Sequence, residues 1–266
     1  MRIRCLADLK KPDPEEIVLS ALPETIFMAH FARDKAFAIS RLVRELFGDS
    51  YEWYGYTIGV REQPEVIIDI GLPPNSVNVL QYTMIGPENI AAYQETLPAD
   101  QVITGWIHSH GSLEYREFSP VDAANQVAVL DYVTSLLKIP VAKKEIAIKD
   151  LVLLVQGEWD RTDLHYGSVC LITDVPVKQA RLLETIFGGF CYAIVIGDDG
   201  WHTQEIHYKR RGILTGQTTV SKRSATLTLM DTGRLLSPVD LELLRQEVQE
   251  KIKPLTTPPP EHLERL

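Results

Sequence analysis

The chain of 266 residues has 45% hydrophobic and 24% charged residues, which is typical of a globular protein with a packed core. Its formal net charge of −9 argues against a general nucleic-acid-binding protein, because phosphate contacts require a basic surface. Three cysteines favour a reducing compartment, and no apolar run is long enough for a membrane span or a secretory signal, so we expect a cytoplasmic protein without membrane insertion.

The N-terminal half is predicted to alternate strands and helices after an arm at residues 1–20. Apolar residues recur at helical spacing over residues 33–47, and Gly48 is well suited to end that helix. The other elements predicted in this half are strands at 24–31, 51–60, 66–70 and 76–84 and a short helix at 87–96.

The C-terminal half is predicted to begin with a helix at 123–137 and a connector at 139–150. The pair Gly188-Gly189 predicts the end of a helix at 177–187, and Asp198-Asp199-Gly200 predicts a hairpin turn. The remaining predicted elements are strands at 150–156, 168–173, 190–196 and 201–209, a capped helix at 237–251 and an extended proline-rich tail at 254–266.

The most informative stretch is the apolar run Val102–Ile107, which is followed by His108-Ser109-His110. Side chains two residues apart on a strand point to the same face, so the two imidazoles can approach one metal ion. A single His-x-His is nevertheless common in proteins without a metal. The pair therefore needs a further ligand before it indicates a site.

The next candidate ligand lies beyond a polar loop, in Ser119-Pro120-Val121-Asp122, which has the pattern of a helix N-terminus. A strand end beside a helix start can bring two histidines and an aspartate together. Two imidazoles and a carboxylate are a zinc-type ligand set that leaves a tetrahedral position for water. The same tetrapeptide at Ser237–Asp240 has no neighbouring histidine and predicts only a helix cap, so the order and spacing of the two motifs carry the metal prediction.

The order His-x-His, loop, Ser-x-x-Asp resembles the JAMM (MPN+, JAB-domain) zinc metalloprotease family. That family also has an upstream Glu-x-x-Gly-x-x-x-Gly strand, which Glu52, Gly55 and Gly59 match. The patterns of other zinc enzymes, HExxH and the HxE with PCxxC of nucleobase deaminases, do not occur. The resemblance implies zinc (Zn²⁺) as the cofactor, with the metal ligands His108, His110 and Asp122 and the catalytic residues Glu52 and Ser119.

The chain departs from the family pattern in two ways. The loop between His110 and Ser119 has eight residues, one more than usual, and Gly111 stands where a proline usually follows the second histidine. Loop length has a small energetic cost and glycine is flexible, so the ligand assignment is unaffected and the geometry of the substrate loop is left open. Asn125 and Gln126 are either hydrogen-bond partners of an imidazole or exposed helix polars.

The resemblance implies a mixed α/β protein with the cytidine-deaminase-like JAMM/MPN fold, a curved mixed sheet flanked by helices. We expect a catalytic domain at 21–212 with an insertion at about 131–189, a C-terminal extension at 213–253 and the proline-rich tail. The implied activity is hydrolysis of an amide bond, with conjugates of ubiquitin or a ubiquitin-like protein as substrates. A non-catalytic scaffold subunit and a peptidase of cell-wall peptides or sulfur-carrier proteins stay open, as does the choice between a monomer, a homodimer and a complex subunit.

Overall fold

The structure is a computed structural model that describes residues 16–78, 85–146, 151–155, 169–173 and 182–254. The helices of these residues are α1 (His30–Phe47), α2 (Pro87–Thr96), α3 (Pro120–Leu136) and α4 (Pro238–Lys251). The strands are β1 (Glu16–Val18), β2 (Thr25–Ala29), β3 (Tyr54–Val60), β4 (Val66–Ile67), β5 (Asp69–Gly71), β6 (Asn75–Asn78), β7 (Gln101–Ser109), β8 (Ile139–Ile146), β9 (Leu151–Val155), β10 (Val169–Thr173), β11 (Leu182–Ile196), β12 (His202–Gly212), β13 (Thr218–Ser224), β14 (Thr226–Met230) and β15 (Ile252–Pro254). Within the described ranges no helix combines the length and the apolar character that crossing a membrane requires.

The chain divides into two compact units. The main unit comprises residues 22–139, 188–210 and 219–266, and the smaller unit comprises residues 1–21, 140–187 and 211–218. The candidate site residues all lie in the main unit.

The centre of the main unit is a mixed β-sheet. Strand β7 pairs in parallel with β11 on one side and antiparallel with β3 on the other, and β3 pairs antiparallel with β5. The antiparallel register places Tyr54 opposite His108, and the parallel register places Val195 opposite the same histidine. The C-terminal end of β7 is therefore held between two buried neighbours.

Helices cover both faces of this sheet because its strands alternate apolar side chains toward two cores. Ile107 and Ile194 pack with α1 in one core, whereas Trp106 and Ala193 pack with α3 in the other. Side chains of successive strand residues point to opposite faces, so this alternation follows directly from the strand geometry. The predicted class, a mixed α/β protein with a mixed sheet flanked by helices, is confirmed.

Smaller sheets surround the first core. Strands β14, β2 and β4 form a parallel sheet in that order, and β15 pairs in parallel with β6. Helix α4 packs along α1, where Leu244 and Val248 are buried in the core that α1 shares with the sheet. The capped C-terminal helix is thus part of the main unit.

The smaller unit contains paired strands among its described residues. Strand β1 pairs antiparallel with β8, and β9 pairs in parallel with β10. Glu184 at the start of β11 is 2% exposed and accepts hydrogen bonds from the backbone N–H and the hydroxyl of Thr215, at 3.1 and 3.0 Å. This carboxylate fixes the segment that follows β12.

The structure corrects two predicted elements. Residues 182–187 belong to strand β11 and not to a helix that ends at Gly188, while 177–181 lie outside the described residues. A Cβ on Gly189 would lie 2.4 Å from the carbonyl oxygen of Leu137, so this glycine permits a close approach of backbone within a strand. Residues 139–146 form strand β8 rather than a connector.

Other differences are strands that were not predicted, namely β1, β13, β14 and β15, and shifts of element ends. The first predicted strand stops at Ala29, so Phe31 is helical, and β3 begins at Tyr54, after Glu52. The predicted strand 76–84 and the tail 254–266 lie largely outside the described residues. The boundaries of the catalytic domain, its insertion and the extension stay predictions.

Candidate metal centre

The two histidines of the site are placed by the end of β7. His108 lies on the α3 side of the sheet, where its ring stacks on that of Trp106 with centroids 4.3 Å apart. His110 follows the last strand residue, and its backbone N–H still donates to the carbonyl of Ile196 at 2.9 Å. The extended backbone therefore continues far enough to keep both imidazoles on one face, as the sequence predicts.

Asp122 is placed by a capping box at the start of α3. Its backbone N–H donates to Ser119 Oγ at 3.2 Å, and the Ser119 N–H donates to Asp122 Oδ2 at 2.6 Å. These reciprocal bonds satisfy N–H groups that a helix start leaves unpaired, and they fix the carboxylate close to the helix axis. The cap thus turns the first turn of α3 into a rigid support for one carboxylate.

The donor atoms of these residues converge on one point. His108 Nε2 lies 3.1 Å from His110 Nε2 and 3.2 Å from Asp122 Oδ1, and His110 Nε2 lies 3.5 Å from Asp122 Oδ2. In a tetrahedral site with bonds of about 2.0–2.2 Å, neighbouring donors are about 3.3–3.6 Å apart. The three separations lie within or slightly below this range, and the residues could hold a single metal ion.

The electrostatics of His108 and Asp122 favour the protonation states that a metal ligand needs. Burial lowers the pKa of His108, an effect larger than the opposing attraction of Asp122. Burial alone would raise the pKa of Asp122, but the hydrogen bonds from both histidines hold it well below its usual range. A neutral imidazole and an ionised carboxylate are the forms that coordinate a cation.

His110 is oriented by the loop that follows it. Its Nδ1 lies 2.8 Å from the carbonyl oxygen of Tyr115, and a carbonyl can only accept, so Nδ1 carries a proton and Nε2 is the nitrogen that could bind a metal ion. Burial acts to lower the pKa of His110, but the bonds to Asp122 and Tyr115 and the charge of Asp122 outweigh it and raise the pKa.

The other imidazole is supported by packing. Trp106, which stacks on His108, donates its indole N–H to Gln126 Oε1, and Gln126 in turn donates to Cys191 Sγ at 3.3 Å. Gln126 is therefore a buried hydrogen-bond partner of the stacking tryptophan. Both alternatives for Gln126, a hydrogen bond to an imidazole and an exposed position on the helix, are wrong. Asn125 is also buried and accepts from the backbone N–H of Ile85 at 2.9 Å.

Glu52 reaches the site through the register of β3 and β7. Tyr54 pairs with His108, and the Ser109 N–H donates to the carbonyl of Trp53 at 2.9 Å, so the antiparallel pairing continues until Glu52 lies opposite His110. Glu52 is 8% exposed, and burial raises its pKa to about 8, partly offset by His110 and reinforced by Asp122. A carboxyl group with this pKa can exchange protons near neutral pH.

One cleft of about 310 Å³ brings the predicted residues together. Its walls include the catalytic candidates Glu52 and Ser119, with His110 and Asp122 from the ligand set. His108 lies behind them and is 2% exposed. The structure therefore gathers all of the residues predicted from sequence, in an arrangement with an open side toward solvent.

Two supporting residues, Tyr115 and Trp106, were not identified from the sequence, and the hydrogen-bond partner of a third, Gln126, was not predicted. Tyr115 acts through its backbone carbonyl, which any residue has, and Trp106 and Gln126 meet only because β7 and α3 pack face to face. The position of Gln126 one turn beyond Asp122 is the sole sequence signal for any of them. Neither a scan against models of known protein families nor a search of curated proteins gives a match to this chain.

Proposed function

We propose that this chain is a zinc-dependent hydrolase of amide bonds, of the JAMM/MPN+ type and with that family's cytidine-deaminase-like fold. The observation that carries the proposal is the cleft in which Glu52, with its raised pKa, lies beside the donors of His110 and Asp122. A metal-ligand set alone could serve a structural ion. A buried carboxyl group beside it, on the open side, is what hydrolysis requires.

Zinc, when bound, supplies a Lewis acid that acidifies water and polarises a carbonyl group. Glu52 is placed to take the proton of the attacking water and to deliver it to the amine that leaves when the C–N bond breaks. In the metal-free protein burial raises the pKa of Glu52 to about 8, so neither the acid nor the base form is strongly disfavoured near neutral pH, which supports transfer in both directions. The metal ligands His108, His110 and Asp122 would hold the ion and take no part in proton transfer.

The proposed role of Ser119 is to donate a hydrogen bond to the oxygen of the scissile carbonyl, on which negative charge develops. Its Oγ already accepts from the Asp122 N–H, so its own hydrogen is available for donation. The corresponding hydroxyl of Ser237 instead donates to Asp240 Oδ2 at 2.5 Å, whereas the described residues offer Ser119 no such acceptor. A donor already fixed by a helix cap stabilises a developing oxyanion without reorganisation.

The substrate class that we propose is a conjugate of ubiquitin or a ubiquitin-like protein, cleaved at the amide bond after its C-terminus. Support for this choice comes from the family resemblance of the motifs. A cleft that opens to solvent beside Glu52 can accept an extended chain terminus, which fits the same choice.

The test compares Glu52→Gln with His110→Ala in metal analysis and in cleavage of fluorogenic ubiquitin-like substrates, with and without chelator. We expect Glu52→Gln to retain zinc and lose turnover, and His110→Ala to lose both. His207→Ala is a matched control, because His207 is also a partly buried histidine with a carboxylate partner, Glu205 at 2.9 Å, outside the cleft. Near wild-type cleavage by Glu52→Gln, or zinc-loaded wild type that cleaves no substrate of the panel, would refute the proposal.

A further inference from the structure

The loop between the second histidine and the cap, residues 111–118, is attached to the turn between β11 and β12, residues 197–201. At the start of the loop, the Asp198 N–H donates to the carbonyl of Gly111 at 2.9 Å. Gly111 has φ +56°, a left-handed conformation that glycine adopts without strain, and the chain turns there away from β7. The first attachment therefore sets the direction in which the loop leaves the sheet.

The second attachment is made by Arg116. Its carbonyl accepts from Thr203 Oγ1 at 2.7 Å, its guanidinium lies 3.3 Å from Asp199 Oδ2, and the same group lies 5.7 Å from the centre of the Trp201 ring. An ion pair, a cation–π contact and a hydrogen bond to the backbone thus all hold Arg116. They hold the middle of the loop against the turn.

The residue immediately before Arg116 is Tyr115, whose carbonyl fixes the proton on His110 Nδ1. The Tyr115 ring also lies over the His110 ring, with centroids 5.8 Å apart and an interplanar angle of 25°. One peptide unit therefore links the attachment at Arg116 to the orientation of a metal ligand. A shift of the Arg116 backbone would move the Tyr115 carbonyl away from the imidazole.

We propose that Arg116 is a positioning residue for the metal centre, which acts through Asp199, Trp201 and the Tyr115 carbonyl to hold His110 in its ligating orientation. This inference rests on the metal centre of the proposed function. The alternative is an ordinary surface ion pair, since Arg116 and Asp199 are 62% and 63% exposed. Exposed pairs contribute little to folding, so the two explanations differ in where the effect of a substitution appears.

The experiment measures zinc affinity by chelator competition for the full chain and the variants Arg116→Ala, Arg116→Lys and Asp199→Ala. Arg234→Ala is the control, because Arg234 is similarly exposed, pairs with Asp240 at 3.8 Å and lies 3.6 Å from the centre of the Phe31 ring, away from the cleft. We expect Arg116→Ala and Asp199→Ala to weaken zinc binding about tenfold, the lower end of the usual range for residues that orient a ligand. Arg116→Lys keeps the charge but not the planar group, so its loss should be smaller.

The visible spectrum of the cobalt-substituted protein provides a second readout, because it reports the ligand geometry at His110. Arg116→Ala should change that spectrum, while the melting temperature of the metal-free protein stays at the wild-type value. Zinc affinity within twofold of wild type together with an unchanged spectrum would overturn the inference, as would an equal loss in Arg234→Ala. Wild-type protein that binds no zinc would refute the metal centre itself, which is a separate outcome.

Discussion

Replacing the serine of each helix cap separates the catalytic contribution of a hydroxyl from its contribution to the helix. Ser119 and Ser237 begin the same tetrapeptide, both are partly exposed, and both accept from the N–H of the aspartate three residues later, at 3.2 and 3.1 Å. Ser119→Ala and Ser237→Ala therefore remove the same cap at two places in the same unit. Only the first lies in the cleft.

The expected magnitudes differ widely. Each alanine removes one capping bond, which costs about 1 kcal/mol and lowers the melting temperature by roughly 2–4 °C in a chain of this size. If the Ser119 hydroxyl donates to the oxyanion, its loss should lower kcat by about 100-fold or more, the usual effect of removing one such donor. Ser237→Ala should keep the wild-type kcat.

The assay is single-substrate turnover at saturating zinc, since the Ser119 cap also supports Asp122 and a weaker metal site must not be mistaken for slower chemistry. Ser119→Thr serves as a rescue, because threonine keeps both the hydroxyl and the cap. If kcat of Ser119→Ala falls less than twofold, or if Ser237→Ala loses as much, Ser119 has no role beyond starting the helix.

Three further predictions concern binding and stability. Asp122→Asn should abolish high-affinity zinc binding in a calorimetric titration while Asp240→Asn leaves it intact, although both weaken a cap. Burial raises the pKa of Glu52 from 4.5 to about 8, so the folded metal-free protein holds a proton that the unfolded chain releases, and stability falls as pH rises through that window. Glu52→Gln should lack this loss, which is on the order of 4 kcal/mol between pH 5 and pH 8.5 by urea denaturation. Gly189→Ala should cost about 1–3 kcal/mol through the clash with Leu137, and an unchanged midpoint of unfolding would contradict the close approach.

The ligand set could be predicted because its geometry has local causes. The spacing of His108 and His110 places both on one strand face, and the capping box around Asp122 is determined by four consecutive residues. Glu52 is different, since its place depends on which strand pairs with β7 and in which register. The sequence identified it only through the family pattern, and the observed register puts it beside His110.

The elements that were wrong share a dependence on distant neighbours. Residues 182–187 have apolar spacing that suits a helix, but they continue into the apolar stretch of β11, and the following Gly189 allows α3 to end against the strand. Local propensity is a weak guide where such packing decides. The ion pair between Arg116 and Asp199 could not be predicted from the sequence either, because the two residues are exposed, belong to no motif and lie 83 positions apart.

The two Ser-Pro-Val-Asp segments have the same backbone conformation but different surroundings. Both form the same cap, so the tetrapeptide specifies the backbone in either place. At the second copy the serine hydroxyl donates to its own aspartate, and the carboxylate is satisfied within the motif. At the first copy the carboxylate also accepts from the Ser119 N–H and faces His108 and His110, and the described residues offer the Ser119 hydroxyl no carboxylate acceptor. The same four residues therefore form the same cap in two surroundings, and the role that we propose for Ser119 depends on the strand that ends beside the first copy.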